Sequence, residues 1–296
     1  MKVRQGIKWN FYKAIGNFLI KFIYGIVVAK LLGPTIIGQL GMIVAFSGFA
    51  SILINSGFKS RIIQVKEINR DELNSIFAFN VLIGLVLTTL FFLSSNLIAT
   101  FFSYPELSFY IKIYSINFIL QSTILVPLAL NDRNLDFNKN TKSVLLANLL
   151  ALIMAICLIL LEYELISLII YSIAANVFSI IFIYSNSDWK PSYFFNFNLL
   201  KRHLPYSLNL LYVRFFEEFV AKIDNVVTGK YFDAVTLGLF SKSNDIASLP
   251  NSLITSSINN TLFPYFSRSQ DNKLNLNKSY SQFLFGITFV YINIFL

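Results

Sequence analysis

The chain is short of what an enzyme or a metal protein uses. Of its 296 residues, one is cysteine and one is histidine. A single cysteine, Cys157, excludes an intramolecular disulfide and a thiolate metal cluster. A single histidine, His203, excludes a histidine-rich zinc site. Charge is scarce too, with 13% of residues Asp, Glu, Lys or Arg, against about 25% in a soluble domain. Also missing are the segments of about ten alternating residues that build a transmembrane β-barrel.

What fills the chain is apolar. Hydrophobic residues make up 55%, and the mean hydropathy is +0.63. Uncharged runs cover 31–58, 73–105, 113–131, 143–161, 165–187 and 246–267. Each reaches the roughly 18 residues that mark a membrane-spanning candidate. The expected fold class is therefore all-α, a polytopic helical membrane protein whose partner is the lipid bilayer. The 31 Phe and 15 Tyr fit lipid-facing surfaces and interfacial belts.

In chain order, the runs predict helices over 9–31, 34–57, 75–102, 109–130, 143–161 and 165–184. A linker, NSDWKPSYFFNFNLLKRHLP, follows. A seventh helix spans about 208–227, an eighth about 235–263 with a kink near Pro250, and a ninth opens near Tyr280 and is still running at Leu296. The organisation expected is a first six-helix unit over 1–186, a cytoplasmic linker over 187–204, and the start of a second unit over 205–296.

The net charge of +9 does not point to nucleic acid, because the cations alternate by side. The N-terminus carries three Lys or Arg, and every second loop carries four, three, three and three. The opposite side holds Lys30, Lys112 and Lys230. By the positive-inside rule the N-terminus is cytoplasmic.

Aligning residue n with n + 200 sets IVVAKLLGPTIIGQL against VVTGKYFDAVTLGLF, with Val27 on Val227, Lys30 on Lys230, Ile37 on Leu237 and Gly38 on Gly238. The match falls at one structural place, an outward-going helix, a short turn and the next helix. Six helices separate the copies, so both have one orientation. That is a parallel repeat about the membrane normal.

One stretch breaks the apolar pattern. RFFEEFVAKID places Arg214, Glu217, Glu218, Lys222 and Asp224 inside the seventh helix. Each charge at a bilayer centre costs about 2.5–3.5 kcal/mol on insertion scales. Arg214, Glu218 and Lys222 share a face at i, i+4 and i+8, so they either pair locally and fix packing or line a hydrated cavity. In the first helix Lys13, Asn17 and Lys21 share a face as well. Lys13 either snorkels to the interface or extends a cationic stripe, while Lys21 lies near mid-helix and favours cavity lining. Lys242 and Asp245 stand i, i+3 on the eighth helix, among Ser241, Ser243 and Asn244.

The segments AKLLGPTIIGQLGMIVAFSGFASILINSGFKSRIIQ, LALNDRNLDF and IDNVVTGKYFDAVTLGLFSKSNDIASLPNSLITSSINNTLFPYFSR resemble the bacterial polysaccharide transporters. These are the Wzx-type oligosaccharide flippases of the multidrug/oligosaccharidyl-lipid/polysaccharide superfamily. The resemblance implies two six-helix lobes around a central cavity, of which this chain supplies the first and the start of the second. It therefore implies a fragment or a shortened reading frame. It also implies an inner-membrane flippase for undecaprenyl-pyrophosphate-linked oligosaccharide rather than an enzyme. Polysaccharide polymerase and chain-length machinery would be further partners. No cofactor is expected beyond a coupling ion, Na+ or H+. Substrate-binding candidates are Asn17, Lys21, Arg214, Glu218, Lys222, Lys242 and Asp245. Asp224 matches the Asp of the family segment, where it caps or orients the external turn. A multidrug or peptidoglycan-precursor exporter, or a membrane enzyme of polysaccharide assembly, are the alternatives.

Topology is open to direct labelling. Single cysteines at Glu106, Glu162 and Asp233 should react with an impermeant thiol reagent applied from outside, and those at Lys66, Lys139 and Lys190 should not. External labelling at any of the latter three would overturn the topology.

Overall fold

The computed structural model describes residues 2–55, 57–245 and 247–248. Its helices are α1 (Lys2–Leu31), α2 (Gly33–Asn55), α3 (Phe58–Gln64), α4 (Arg70–Phe101), α5 (Leu107–Tyr114), α6 (Ile116–Arg133), α7 (Phe137–Leu160), α8 (Glu164–Ser185), α9 (Phe197–Lys201), α10 (Leu204–Tyr231) and α11 (234–245). No strand occurs among the described residues. Among the described residues, six segments are long and apolar enough to cross a membrane: Lys8–Leu31, Gly33–Gln64, Arg70–Phe101, Leu107–Arg133, Phe137–Leu160 and Glu164–Ser185. The chain is an all-α polytopic membrane protein. The expected kink at Pro250 and the ninth helix lie outside the described residues.

Local chemistry moves several expected boundaries. α4 begins at Arg70 rather than 75 because Asn69 caps it. The Asn69 side chain accepts from the Glu72 N–H at 2.8 Å, and the Glu72 carboxylate accepts from the Asn69 N–H at 3.0 Å, a reciprocal capping box. The fourth span is two helical pieces joined at Ser115, whose φ of −57° and ψ of −26° keep the chain helical. The second span breaks at Gly57, where φ is +76°, a region only glycine enters cheaply. The chain restarts there as α3. The seventh helix is longer than its apolar stretch, running Leu204–Tyr231 with Pro205 in its first turn, where a missing N–H costs nothing.

Small and polar residues, rather than hydrophobicity, hold membrane helices to one another. Ala147, Ala151 and Ala155 are buried at four-residue spacing on α7, where α7 lies along α8. Asn80 donates to the Ser122 carbonyl at 2.9 Å, Asn131 to Asn140 at 2.8 Å and Asn176 to Asn117 at 2.8 Å, tying α4, α6, α7 and α8. One apolar cluster gathers Val28, Met42, Phe102, Leu168, Ala234 and Leu237. A second, at the end of the basic loops, gathers Phe58, Ile62, Ile76, Val126, Trp189 and Leu200.

Arg133 closes the α3 turn from the end of α6. Its guanidinium donates to the carbonyls of Ile62 and Lys66, each at 2.6 Å, and to that of Val65. A hydrogen bond to a charged group is worth about 1.5–3 kcal/mol. Arg133→Ala should lower the midpoint of thermal unfolding in detergent by several degrees. Arg133→Lys should recover only part of this, since an ammonium lacks the planar fork. An unchanged midpoint in Arg133→Ala would show the clamp to be idle.

Candidate functional site

α10 and α11 lie against the first eight helices along α2, and the contact is backbone to backbone. A methyl group added to Gly38 would overlap the Ala234 carbonyl oxygen, and one added to Gly238 would overlap that of Pro34. A Cβ at Gly41 would stand 3.5 Å from the Ser241 hydroxyl. Gly41 faces its own partner in the 200-residue alignment, Ser241, while Gly38 meets Ala234 and Gly238 meets Pro34, two residues that are themselves a pair in that alignment. The contact is thus reciprocal, as at an isologous two-fold interface. Further along α2, a Cβ at Gly48 would overlap the Glu218 carboxylate, and at the break before α3 one at Gly57 would overlap the Ser207 backbone. Phe49 meets Phe215 and Phe219 with ring centroids 5.6 and 6.4 Å apart.

The charged residues divide around this seam. Glu218 turns from α10 toward Gly48 of α2. Lys242 reaches from α11 toward α1, its ammonium 3.8 Å from where a Gly25 Cβ would be, one turn from Lys21. Lys21 is exposed on α1, and Lys222 is half-buried on α10. Glu218 thus meets α2 at Gly48, while Lys242 meets α1 at Gly25, one turn along from Lys21.

Of the two readings of these charges, local pairing and cavity lining, the structure shows one local pair among the described residues, and it is not at i, i+4 spacing. Arg214 binds Glu217 rather than Glu218, at 3.0 Å, with both side chains more than half exposed. The i, i+3 partner lies within reach while Glu218 is turned into the seam. No ion pair joins Glu218 to Lys222, or Lys242 to Asp245, among the described residues. Asp245 and Asp224 are exposed, and the Asp245 carbonyl accepts from Ser248 at 3.0 Å. Asn17 accepts from Asn148 of α7 at 2.7 Å, so it fastens α1 to α7 and has less to offer a ligand.

Two clusters went unnoticed in the sequence. Lys59 pairs with Asp132 at 2.9 Å, and Lys13, half-buried on α1, feels both charges. Lys59 holds the Asp132 carboxylate, and Lys13 lies within the field of both at the basic end of the first eight helices. Nothing local connects residues so far apart in sequence. The second cluster ties the start of α10 to α3 and α4. Arg61 donates through Nε to His203 Nδ1 at 3.3 Å and lies 5.6 Å over the Tyr206 ring. His203 Nε2 faces Glu72 at 3.7 Å, and Arg202 reaches the same carboxylate oxygen at 3.9 Å. Accepting from Arg61 at Nδ1 leaves the proton on Nε2, aimed at Glu72. Burial pushes the His203 pKa below its ordinary 6.5, with Glu72 opposing and Arg61 and Arg202 assisting.

Residues 27–296 match the family of polysaccharide biosynthesis proteins. The chain is 22% identical over 271 residues to the succinoglycan biosynthesis transport protein ExoT of Rhizobium meliloti (strain 1021), covering 92% of this chain and 55% of that protein. It is 23% identical over 274 residues to the teichuronic acid biosynthesis protein TuaB of Bacillus subtilis (strain 168), covering 91% and 56%. It is 24% identical over 283 residues to the lipopolysaccharide biosynthesis protein WzxC of Escherichia coli (strain K12), covering 93% and 57%. The chain thus spans little more than half the length of these relatives. No solved structure matches it.

Protonation of His203 tests the tie at the start of α10. A folded-state pKa below 6.5 means the unfolded chain binds the proton more tightly. This contribution is therefore complete above pH 6.5 and falls as pH drops below it. The unfolding midpoint in detergent should decline on acidification from pH 7 to 5. His203→Gln, which cannot take a proton, should remove part of that decline. Identical pH profiles for the two proteins would contradict the assignment.

Proposed function

Because the chain belongs to the family of polysaccharide biosynthesis proteins, we propose that it works as part of a flippase. Its cargo on this reading is a glycan on an undecaprenyl-pyrophosphate carrier. The membrane is the bacterial inner membrane, with the N-terminus cytoplasmic. The chain moves its substrate without changing a covalent bond in it. The relatives are named for three different polymers, succinoglycan, teichuronic acid and lipopolysaccharide. A transporter serving such a range recognises what the substrates share, an anionic carrier group, more than any one sugar.

One observation carries the reading: the Lys242 ammonium of α11, from the second aligned unit, stands 3.8 Å from where a Gly25 Cβ would be on α1, one helical turn from Lys21. Cations in a spanning segment are costly and mark substrate pathways. Between two lobes they would offset a pyrophosphate while water there hydrates the glycan and the lipid tail stays in the bilayer. Lys13 and Lys59 at the basic end would meet the same group as it enters, with Asp132 as the counter-ion it displaces. The reciprocal contact at Gly38 and Gly238 supports two lobes, 1–186 and 205 onward, related by an axis along the membrane normal and rocking against each other to open on alternate sides.

The test uses a host whose surface polymer depends on the full transporter. Lys21→Ala and Lys242→Ala should each reduce polymer display about ten- to a hundredfold, since a charged contact is worth about 1.5–3 kcal/mol. Protein level in the membrane should stay normal. Arg214→Ala, which removes an exposed pair with Glu217, should cost much less. Normal display in both lysine variants would overturn the reading.

A further inference from the structure

Between α8 and α9 the chain crosses residues 186–196 without regular structure, yet this stretch is firmly docked. Asn74 donates to the Ser192 hydroxyl at 2.6 Å, and the Ser192 N–H donates back to Asn74 at 3.3 Å. The Asn196 N–H donates to the Ser75 hydroxyl at 3.0 Å. Trp189 is buried with its ring edge-on to Phe77, centroids 5.6 Å apart. The strap therefore lies on the Asn74 and Ser75 face of α4, close to that helix's start.

That face of α4 turns to lipid further in. At 100° per residue, Ser75 shares its direction with Leu82 and Val86, and Asn74 shares its direction with Leu85. Leu82, Leu85 and Val86 are all exposed, in a span long and apolar enough to cross a bilayer. Helical rise sets Leu82 about 10 Å deeper than Ser75. The strap thus sits just above the lipid-facing stripe, where hydrocarbon gives way to headgroups.

From it project Tyr193, Phe194, Phe195 and Phe197, with relative exposures of 113%, 37%, 52% and 54%. The ten residues 191–200 contain no charge. Cations flank them, Lys190 before and Lys201 and Arg202 after. Of the acids nearby, Asp188 faces Lys139 at 3.8 Å and Glu72 faces the exposed Arg202 at 3.9 Å. Four bare aromatic rings in water would be an apolar patch without a partner. At the membrane border the same rings match the headgroup–acyl boundary, and the flanking cations match anionic headgroups.

We propose that residues 193–197 are an aromatic strap embedded in the leaflet on the side of the basic loops, with the lipid surface as its partner. The strap runs straight into α9 and α10. It therefore holds the start of α10 at a fixed depth while the rest of that helix packs on α2.

The test uses nitroxide labels on single cysteines in a Cys157→Ser background, Cys157 being the sole native cysteine. Labels go on Tyr193→Cys, Phe195→Cys and Phe197→Cys, with Lys190→Cys as the aqueous reference and Leu85→Cys as the lipid reference. The protein is reconstituted in vesicles of phosphatidylethanolamine and phosphatidylglycerol. The readout is the ratio of accessibility to oxygen over a water-soluble nickel chelate. At 193, 195 and 197 this ratio should exceed that at 190 several-fold and stay below that at 85. The labelled positions are exposed, so the substitutions leave the core untouched. Ratios at all three sites equal to that at 190 would overturn the proposal and mark the strap as a water-facing surface for a protein partner.

Discussion

The close approach of α2 and α11 at Gly38 and Gly238 is the contact on which the rest of this arrangement depends. In a bilayer, two apolar helices gain little from hiding hydrophobic surface, because lipid tails are as apolar as their side chains. They gain from dispersion and from carbonyl dipoles brought near backbone C–H groups, and only small residues allow that distance. Gly38 faces the Ala234 carbonyl and Gly238 faces that of Pro34. The same chemistry is thus used twice, once from each side. Ala234 and Leu237 then sink into the apolar cluster around Val28 and Met42, and the direction of α10 follows from that anchorage.

With the seam closed this way, the charges on α10 and α11 have few places to go. Arg214 and Glu217 satisfy each other on the exposed side. Glu218 turns in toward Gly48, and Lys242 extends toward Gly25. The glycines serve twice, letting backbones meet at Gly38 and making room for a charged side chain at Gly48. At the basic end, His203 and Arg61 fasten the start of α10 to α3, and Glu72 connects it to α4. α10 is therefore held by polar contacts near one end, by glycine packing along its length, and by the α11 crossing beyond the other.

Much of this was legible in the sequence, for identifiable reasons. Long uncharged runs specify spanning helices because lipid leaves backbone groups no other partner. The 200-residue offset made Gly38 and Gly238 equivalent positions of a repeat, but only the fold shows that they meet. The ends of helices were less legible. α4 starts early because Asn69 and Glu72 cap each other, and the second span breaks because Gly57 takes a positive φ. Ion pairing was read least well. Spacing admits both Glu217 and Glu218 as partners of Arg214, and the choice depends on α2 drawing Glu218 away. Asn17 looked like a cavity residue until α7 brought Asn148 against it. Lys13, Lys59 and Asp132 come from three helices, and only the tertiary fold joins them.

The crossing itself can be measured most directly by a disulfide. Gly41 and Ser241 are equivalent in the two units, and a Cβ at Gly41 would lie 3.5 Å from the Ser241 hydroxyl, within reach of a disulfide's short Cβ separation. In a Cys157→Ser background, Gly41→Cys with Ser241→Cys should cross-link under mild oxidation in membranes. Gly41→Cys with Ser243→Cys, on another face of α11, should not. Cross-linking of the first pair alone is the result this account predicts. Failure of that pair to link, or equal linking of both, would contradict a two-fold contact between α2 and α11.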